Sequence, residues 1–440
     1  MSKKIIKPTI LSGFMELLPR DQLAFNSMLE SIRESFELFG FLPIDTVMIE
    51  KSEILSAKSG GETEQQIYRF QKGKNDLSLR FDLTVPLARY VSQNLNDLTF
   101  PFRRYQIGKV FRGEKPQKGR FREFYQCDID VIGKETLDIV NDAEIPAVIY
   151  FVFNKLNVGA YTISINNRKV LEGFNNELGF SEKSKEILKA LDKIDKIGRE
   201  NFLLMLEEIG LNKEQIKKYV DFISIDGPAD VVIAGLKSLG ISNETFKKGL
   251  QEIEEVSKYL KYQNIPEEFW KLDLKIARGL EYYTGTVYET KINEYPEFGA
   301  VCSGGRYDNL AEYYTNKKLP GVGISIGLTR LFYMLNENNL VKKDRGTPTK
   351  LLILPLDIEL NECFGLATEL RFSGIPTEVF TKKKDLRGML NFANKIGVPY
   401  VGIIGEKELE SGSITVKDML SGEQVSVAAG EIVEFLKKKE

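Results

Sequence analysis

The sequence predicts an α+β chain built from a sheet-rich body, a helical segment set into that body, and a separate α/β domain at the C-terminal end. Three observations carry this. Strand and turn patterns run between about residues 41 and 131 and return between 273 and 330. The stretch between them, from about 170 to 268, is rich in lysine and glutamate and repeats its apolar residues with a helical period. After the charged, Gly/Pro-containing segment 340–350 the pattern alternates strand and helix to the end. A length of 440 residues suits about two to four such domains.

In chain order, the segment FMELLPRD (14–21) introduces a helix from Asp21 to Phe39, with Asp21 placed to cap it and Gly40 to end it. Leu23, Phe25, Met28, Leu29, Ile32, Phe36 and Phe39 form its apolar face, suited to core and to a dimer contact. FLPIDTVMIE reads as the strand that follows. Residues 58–70 form a polar loop entering a strand, and KGKND (72–76) is a hairpin turn. LSLRFDLTVPLARYVSQ (77–93) is a strand, a turn at Asp82-Leu83-Thr84-Val85-Pro86 and a helix, with Thr84 near the N-cap and Pro86 in the first turn. A carboxylate and a hydroxyl at that corner could hold an amino group, or could simply start a helix.

The stretch FRGEKPQKGRFREFYQCDID (111–130) reads as two strands joined by a basic, turn-rich loop, Lys115 to Arg120. Arginines and carboxylates on such a hairpin suit a polyanion, and suit equally a charge-balanced surface. A helix spans TLDIVNDAEIPAVIYFVFNKLNV, and a strand opens AYTISINNRKVLEGF. In FGAVCSGGRYDNL (298–310) the double glycine permits close approach of backbone to a ligand or to a neighbouring strand. PGVGISIGLTRLFYMLNENN (320–339) is a strand entering a helix. Its glycines space as G-x-G-x-x-x-G and do not make the dinucleotide fingerprint. Beyond residue 350 the α/β pattern implies a mostly parallel sheet, and KKKDLRGML gives that domain one basic edge.

Composition removes several chemistries. Hydrophobic residues make up 42% and charged residues 28%, as in a soluble globular chain with a large core. A net charge of −2 and a pI near 5.8 give no global attraction for nucleic acid, so any such contact rests on local basic patches. Cys127, Cys302 and Cys363 are far apart and form no C-x-x-C pair, which suits a reducing compartment. The basic start MSKKIIKPTI lacks the apolar run of a signal peptide. The chain contains no histidine, which excludes Ser-His-Asp and Cys-His catalysis, H-E-x-x-H zinc hydrolysis and any imidazole base. Carboxylates, lysine, tyrosine, or positioning by arginines and magnesium remain.

Five blocks in fixed order resemble the histidyl-tRNA synthetase family of class II aminoacyl-tRNA synthetases: LRFDLTVPLARY, KVFRGEKPQKGRFREFYQCDIDVIG, ARGLEYYTGTVYE, CSGGRYDNL and GVGISIGLTRL. FMELLPRD and its helix resemble the first motif, residues 110–131 the second and 320–335 the third. The resemblance implies an antiparallel-sheet catalytic core in two parts, 1–168 and 269–340, a helical insertion at 169–268, a linker at 341–350 and an anticodon-binding domain at 351–440. It implies a cytoplasmic homodimer, outside any membrane, that charges tRNA(His) with L-histidine using ATP and Mg2+, with no metal ligands assigned in the protein. The related non-catalytic regulatory subunit of ATP phosphoribosyltransferase shares this core, but Arg112, Arg278, Arg330 and residues 350–440, all present here, fit the ligase.

The site residues implied by the resemblance are specific. Arg112 meets the substrate carboxylate and the ATP α-phosphate, with Arg278 as a second cation from the opposite side; both are the catalytic candidates. Asp82 and Thr84, together with Gln126, hold the ammonium group, and Leu83 between them belongs to the histidine site. Asp130 and Tyr283 read the imidazole, and Tyr282 and Tyr307 line its pocket. Arg330 stacks on adenine opposite Phe124, Glu114 orients the adenosine end or magnesium, and Arg120 reaches the outer phosphates. Lys115, Gln117, Lys118 and Arg120 face the tRNA acceptor end. Two residues depart from the family pattern: Glu281 stands where Asp is commoner, and Cys302-Ser303 where smaller residues are expected, which narrows the pocket.

Overall fold

A computed structural model describes residues 5–57, 62–277, 283–343 and 346–439. By its internal packing the chain forms two compact units: residues 1–15 with 29–340, and residues 16–28 with 341–440.

The first unit is organised by an eight-stranded sheet. Its strands are β1 (Leu42–Pro43), β5 (Phe102–Phe111), β6 (Glu123–Ile132), β7 (Tyr161–Asn167), β8 (Trp270–Leu272), β9 (Thr286–Ile292), β10 (Cys302–Tyr307) and β11 (Gly321–Ile326). They lie in the order β1-β5-β6-β11-β10-β9-β7-β8. The interior pairings are antiparallel, and only the edge strands β1 and β8 run parallel to their neighbours. Beside it stands a small antiparallel sheet of β2 (Ile49–Lys51), β3 (Arg69–Lys72) and β4 (Asn75–Leu79), ordered β2-β4-β3. The stretch FLPIDTVMIE, expected as one strand, therefore breaks into β1 and β2, which belong to different sheets.

β5 and β6 are the longest strands, ten residues each, and pair along their whole length from Phe102↔Ile132 to Phe111↔Glu123. Alternation along β6 sends Cys127, Ile129 and Val131 to one face, where all are fully buried. Fully burying a side chain of this size contributes about 1.5–3 kcal/mol. Gln126, Asp128 and Asp130 go to the other face, and they are buried too, although polar. A sheet face whose buried side chains are charged has given up that hydrophobic gain for something else.

The helix at the chain start spans Pro19–Leu38. Pro19 occupies its first turn, where a missing N–H costs nothing, so Asp21 lies inside the helix and does not cap it. The helix after β4 spans Thr84–Gln93 with Leu83 at its N-cap position. Capping by Thr84 is replaced by capping from two residues further back: Asp82 Oδ1 accepts from the Val85 N–H at 3.1 Å. Between β7 and β8 run the helices Arg168–Glu177, Ser184–Leu191, Ile194–Ile209, Lys213–Ile223, Ala229–Ser238 and Glu244–Tyr262. Glu244–Tyr262 packs on Arg168–Glu177 and on the Val140–Leu156 helix.

The second unit carries β12 (Leu351–Pro355), β13 (Thr377–Val379), β14 (Tyr400–Ile404), β15 (Ser413–Asp418) and β16 (Gln424–Ala428), ordered β13-β12-β14-β15-β16. β12 runs parallel to both its neighbours, but β14·β15 and β15·β16 are antiparallel. The expected mostly parallel sheet is thus only half parallel. The link from β15 to β16 is a short hairpin through Gly422 (φ 79°), too short for a parallel crossover.

Candidate active site

Strand register builds the site. Across β5 and β6 the partners are Arg104↔Asp130 and Gln106↔Asp128; across β6 and β11 they are Asp130↔Gly323 and Asp128↔Ser325. β10 continues the rows with Ser303↔Ser325, Gly305↔Gly323 and Tyr307↔Gly321. Since paired residues share a face, these side chains stand together on one side of the sheet. Glycine is needed in the middle row. A Cβ on Gly323 would lie 2.3 Å from Asp130 Oδ1 and 2.3 Å from the Ile129 carbonyl oxygen. The double glycine of β10 serves neighbouring backbone: a Cβ on Gly304 would meet the Gly323 oxygen at 2.1 Å, and one on Gly305 the Thr286 oxygen at 2.6 Å.

Two adjoining cavities open on this face. One, of about 130 Å³, is lined by Arg112, Glu114, Arg120, Phe124 and Arg330 among others. The other, of about 120 Å³, is lined by Asp82, Thr84, Asp128, Asp130, Tyr283 and Tyr307 among others. Arg112, Gln126, Ser303 and Ser325 belong to both walls.

The first cavity is cationic. Arg112 Nε donates to the Phe81 carbonyl at 2.9 Å, and its guanidinium stands 5.2 Å from the Phe124 ring centre. Glu114 lies between two arginines, 3.9 Å from Arg112 Nη1 and 3.4 Å from Arg120 Nη1. Arg330 is pinned by donation to the Gly119 oxygen at 3.1 Å and to the Ala300 oxygen at 2.7 Å. Lys115, Gln117, Lys118 and Arg120 are exposed on the loop between β5 and β6, with Lys118 Nζ 5.1 Å from the Phe298 ring centre.

The second cavity is acidic and its carboxylates are buried. Asp82, Asp128 and Asp130 are each at most 3% exposed. Asp130 is held by Tyr307, whose hydroxyl donates to Oδ1 at 2.7 Å, and by an ion pair from Oδ2 to Arg104, itself fully buried. Burial pushes all three carboxyls up, Asp82 and Asp130 to about 6 and Asp128 to about 7. The Val85 N–H, Arg112 and Arg104 oppose the rise at Asp82; Arg104 and the Ser325 hydroxyl oppose it at Asp128; Arg104 and Tyr307 oppose it at Asp130. Gln126 Nε2 donates to Ser325 Oγ at 2.6 Å.

Of the residues expected in the site, Asp82, Thr84, Gln126, Asp130, Tyr283 and Tyr307 come together in the acidic cavity, and Glu114, Arg120, Phe124 and Arg330 in the cationic one. Leu83 lines neither wall and is fully buried, because the turn points it away from its two neighbours and into the core. Arg278 and Tyr282 lie outside the described residues. Sequence reasoning missed Arg104, Asp128 and Ser325 as site residues. The two-residue spacing Gln126-Asp128-Asp130 was the available signal for Asp128. Arg104 and Ser325 become site residues only through pairing to β6. Arg306, from the GGRYD block, is engaged with buried Asp142 at 2.6 Å and buttresses the sheet.

Residues 13–331 match the sequence profile of a family described as histidyl-tRNA synthetase, and residues 350–439 that of an anticodon binding domain. A curated histidine–tRNA ligase of Clostridium tetani is 54% identical over 99% of this chain and 100% of its own length. Another, from Clostridium acetobutylicum, is 45% identical over 97% of this chain and 99% of its own. The crystal structure of histidyl-tRNA synthetase from Nostoc sp. PCC 7120 superposes with a TM-score of 0.90 at 39% identity, over 99% of this chain and 100% of that one.

Proposed function

The chain belongs to the histidyl-tRNA synthetase family and is a histidine–tRNA ligase, and we propose that its two cavities divide the substrates by charge. Histidine enters the acidic cavity and ATP the cationic one. The observation that carries this is Arg112 on the shared wall. There one guanidinium can bind an oxygen of the histidine carboxylate and one of the ATP α-phosphate together, which brings nucleophile and electrophile into line. The carboxylate oxygen attacks the α-phosphorus, the bond to the outer phosphates breaks, and pyrophosphate leaves with histidyl-adenylate behind. The attacking carboxylate is already ionised, so this step needs no general base, as suits a chain without histidine. In the second step a ribose hydroxyl at the 3′ end of tRNA attacks the histidyl carbonyl, the bond to the adenylate phosphate breaks, and AMP leaves with the histidyl ester formed on the tRNA.

Asp82, Thr84 and Gln126 hold the ammonium group in this reading, and Asp130 with Tyr283 and Tyr307 reads the imidazole. Arg330 and Phe124 take the adenine, and Arg120 the outer phosphates. Magnesium would arrive with those phosphates, and Glu114 would orient the adenosine end or that ion. Arg278 adds a second cation, and Tyr282 a further wall. The exposed loop Lys115–Arg120 meets the acceptor end of tRNA, and residues 351–440 the anticodon. Residues 169–268 form an insertion domain between the two parts of the catalytic core.

Exposed Leu38, Leu42, Val47, Met48, Ile49 and Phe151 supply the apolar area for a homodimer. Among the described residues no helix is long and apolar enough to cross a membrane, and three free cysteines suit the reducing cytoplasm.

The test is histidine-dependent exchange of pyrophosphate into ATP. Arg112→Ala should lose exchange by about 10²–10³-fold or more while keeping its folded signal. Exchange that survives the change would remove Arg112 from the junction, and wild-type protein without exchange would remove the ligase chemistry.

A further inference from the structure

Counting the oxygens on the acidic wall leaves three without partners. Asp82 spends Oδ1 on the Val85 N–H, and Asp130 spends Oδ1 on Tyr307 and Oδ2 on Arg104. Asp82 Oδ2, Gln126 Oε1 and Asp128 Oδ1 are buried and have no hydrogen-bond partner among the described residues. All three residues are more than nine-tenths buried, and all three line the same cavity. Native structures seldom bury an acceptor and leave it empty, least of all two carboxylate oxygens, unless something binds there. Three acceptors on residues that line one small cavity match in number the three N–H donors of a primary ammonium.

We propose that Asp128 is a specificity residue of this enzyme: its Oδ1 completes, with Asp82 Oδ2 and Gln126 Oε1, a three-oxygen cradle for the α-ammonium group of the histidine substrate. The assignment rests on the second cavity being the histidine site. It adds a residue that was not among the expected ligands and gives it a different group to read from its neighbour Asp130. Asp128 is suited to the part by its surroundings. Ser325 bridges it to Gln126, so two members of the cradle are tied to one hydroxyl. Arg104, the fully buried cation nearby, is committed to Asp130. The ammonium would arrive as the missing counter-charge, and the cavity would prefer ligands that bring one.

Asp128→Asn in the full-length chain tests this. It keeps size and shape and removes the charge. The Michaelis constant for histidine in pyrophosphate exchange should rise roughly 10- to 100-fold, the range of a hydrogen bond between charged groups, with that for ATP unchanged. Imidazolepropionate, which is histidine without its amino group, should inhibit both proteins equally. The melting temperature of the variant at pH 8 should equal or exceed that of the wild type, because an unpaired buried charge has been removed. Asp128→Ser should repeat the pattern. An unchanged histidine constant overturns the proposal. So does a parallel loss of imidazolepropionate binding, which would put Asp128 against the imidazole, and so does a lower melting temperature in both variants, which would make it a structural residue. Wild-type protein that binds ATP but shows no histidine-dependent exchange would instead overturn the ligase reading beneath it.

Discussion

Removing Asp130 should cost this protein much of its fold, whatever it does to histidine. Arg104 is fully buried, its ion pair is with Asp130 Oδ2, and its Nε and Nη1 have no hydrogen-bond partner among the described residues. Taking away Asp130 removes the one ion-pair partner Arg104 has among the described residues, and breaking a buried pair in this way costs about 3–5 kcal/mol. Asp130→Ala also strands the Tyr307 hydroxyl, buried beside Oδ1, for about 1–3 kcal/mol more. The two losses share one site and will not add fully, so a total of about 4–6 kcal/mol is expected. That is a large part of the 5–15 kcal/mol typical of a folded domain. The single tryptophan, Trp270, is buried on β8 of the same sheet, so its fluorescence reports on the unit concerned. In urea, Asp130→Ala should shift the Trp270 transition to much lower denaturant. Asp130→Asn, which keeps an acceptor for Tyr307, should recover the smaller share. The double variant Arg104→Met/Asp130→Leu should recover most of it, because both charges then leave together. A loss under about 1 kcal/mol for Asp130→Ala, or a double variant no better than the single, would refute the reasoning.

Two further outcomes follow from the same wall. Asp82, Asp128 and Asp130 hold their protons to about pH 6, 7 and 6 in the fold, against an ordinary value of 3.8. Between about pH 4 and pH 7 the folded state therefore binds protons the unfolded chain has lost, so their contribution to stability falls as pH rises and levels off above pH 7. The melting temperature of ligand-free wild type minus that of Asp128→Asn should turn steadily more negative across that window, by the equivalent of on the order of 4 kcal/mol for Asp128; a flat or rising difference contradicts it. Gly323→Ala forces a methyl against Asp130 and the Ile129 carbonyl, and should destabilise the sheet by about 1–3 kcal/mol. It should also raise the Michaelis constant for histidine more than that for ATP, and equal effects on both substrates would count against this placement of Gly323.

What the sequence made legible was local. The helix after Asp82, the long β5–β6 hairpin, the six-helix stretch and the α/β tail all follow from periodicity and turn residues. The resemblance of five ordered blocks then named most residues of both cavities. What stayed hidden depends on cross-strand register. FRRYQIGKV gives no hint that Arg104 faces Asp130, because that meeting is set by how β5 and β6 are zipped. Ser325 looked like one more residue in a glycine-punctuated strand until pairing put it opposite both Asp128 and Ser303. The expected caps, Asp21 and Thr84, both fall inside their helices for a common reason. Proline fixes where the first turn lies, and the side chain that reaches back to an open N–H is decided by that turn.

The hairpin that carries so many charges resolves into a gradient. At its loop the side chains are exposed and basic; at Arg112, Glu114 and Arg120 they are half-buried or exposed and mixed; at Gln126, Asp128 and Asp130 they are buried and acidic. One strand pair thus runs from a surface suited to nucleic-acid phosphate, through a guanidinium suited to a nucleotide, to carboxylates suited to an ammonium. An amino acid has the opposite polarity, cationic at one end and anionic at the other. Placed with its nitrogen among the aspartates, it presents its carboxylate toward Arg112 and the phosphate cavity. In that placement, separated charges fixed by strand register would suffice to aim the nucleophile.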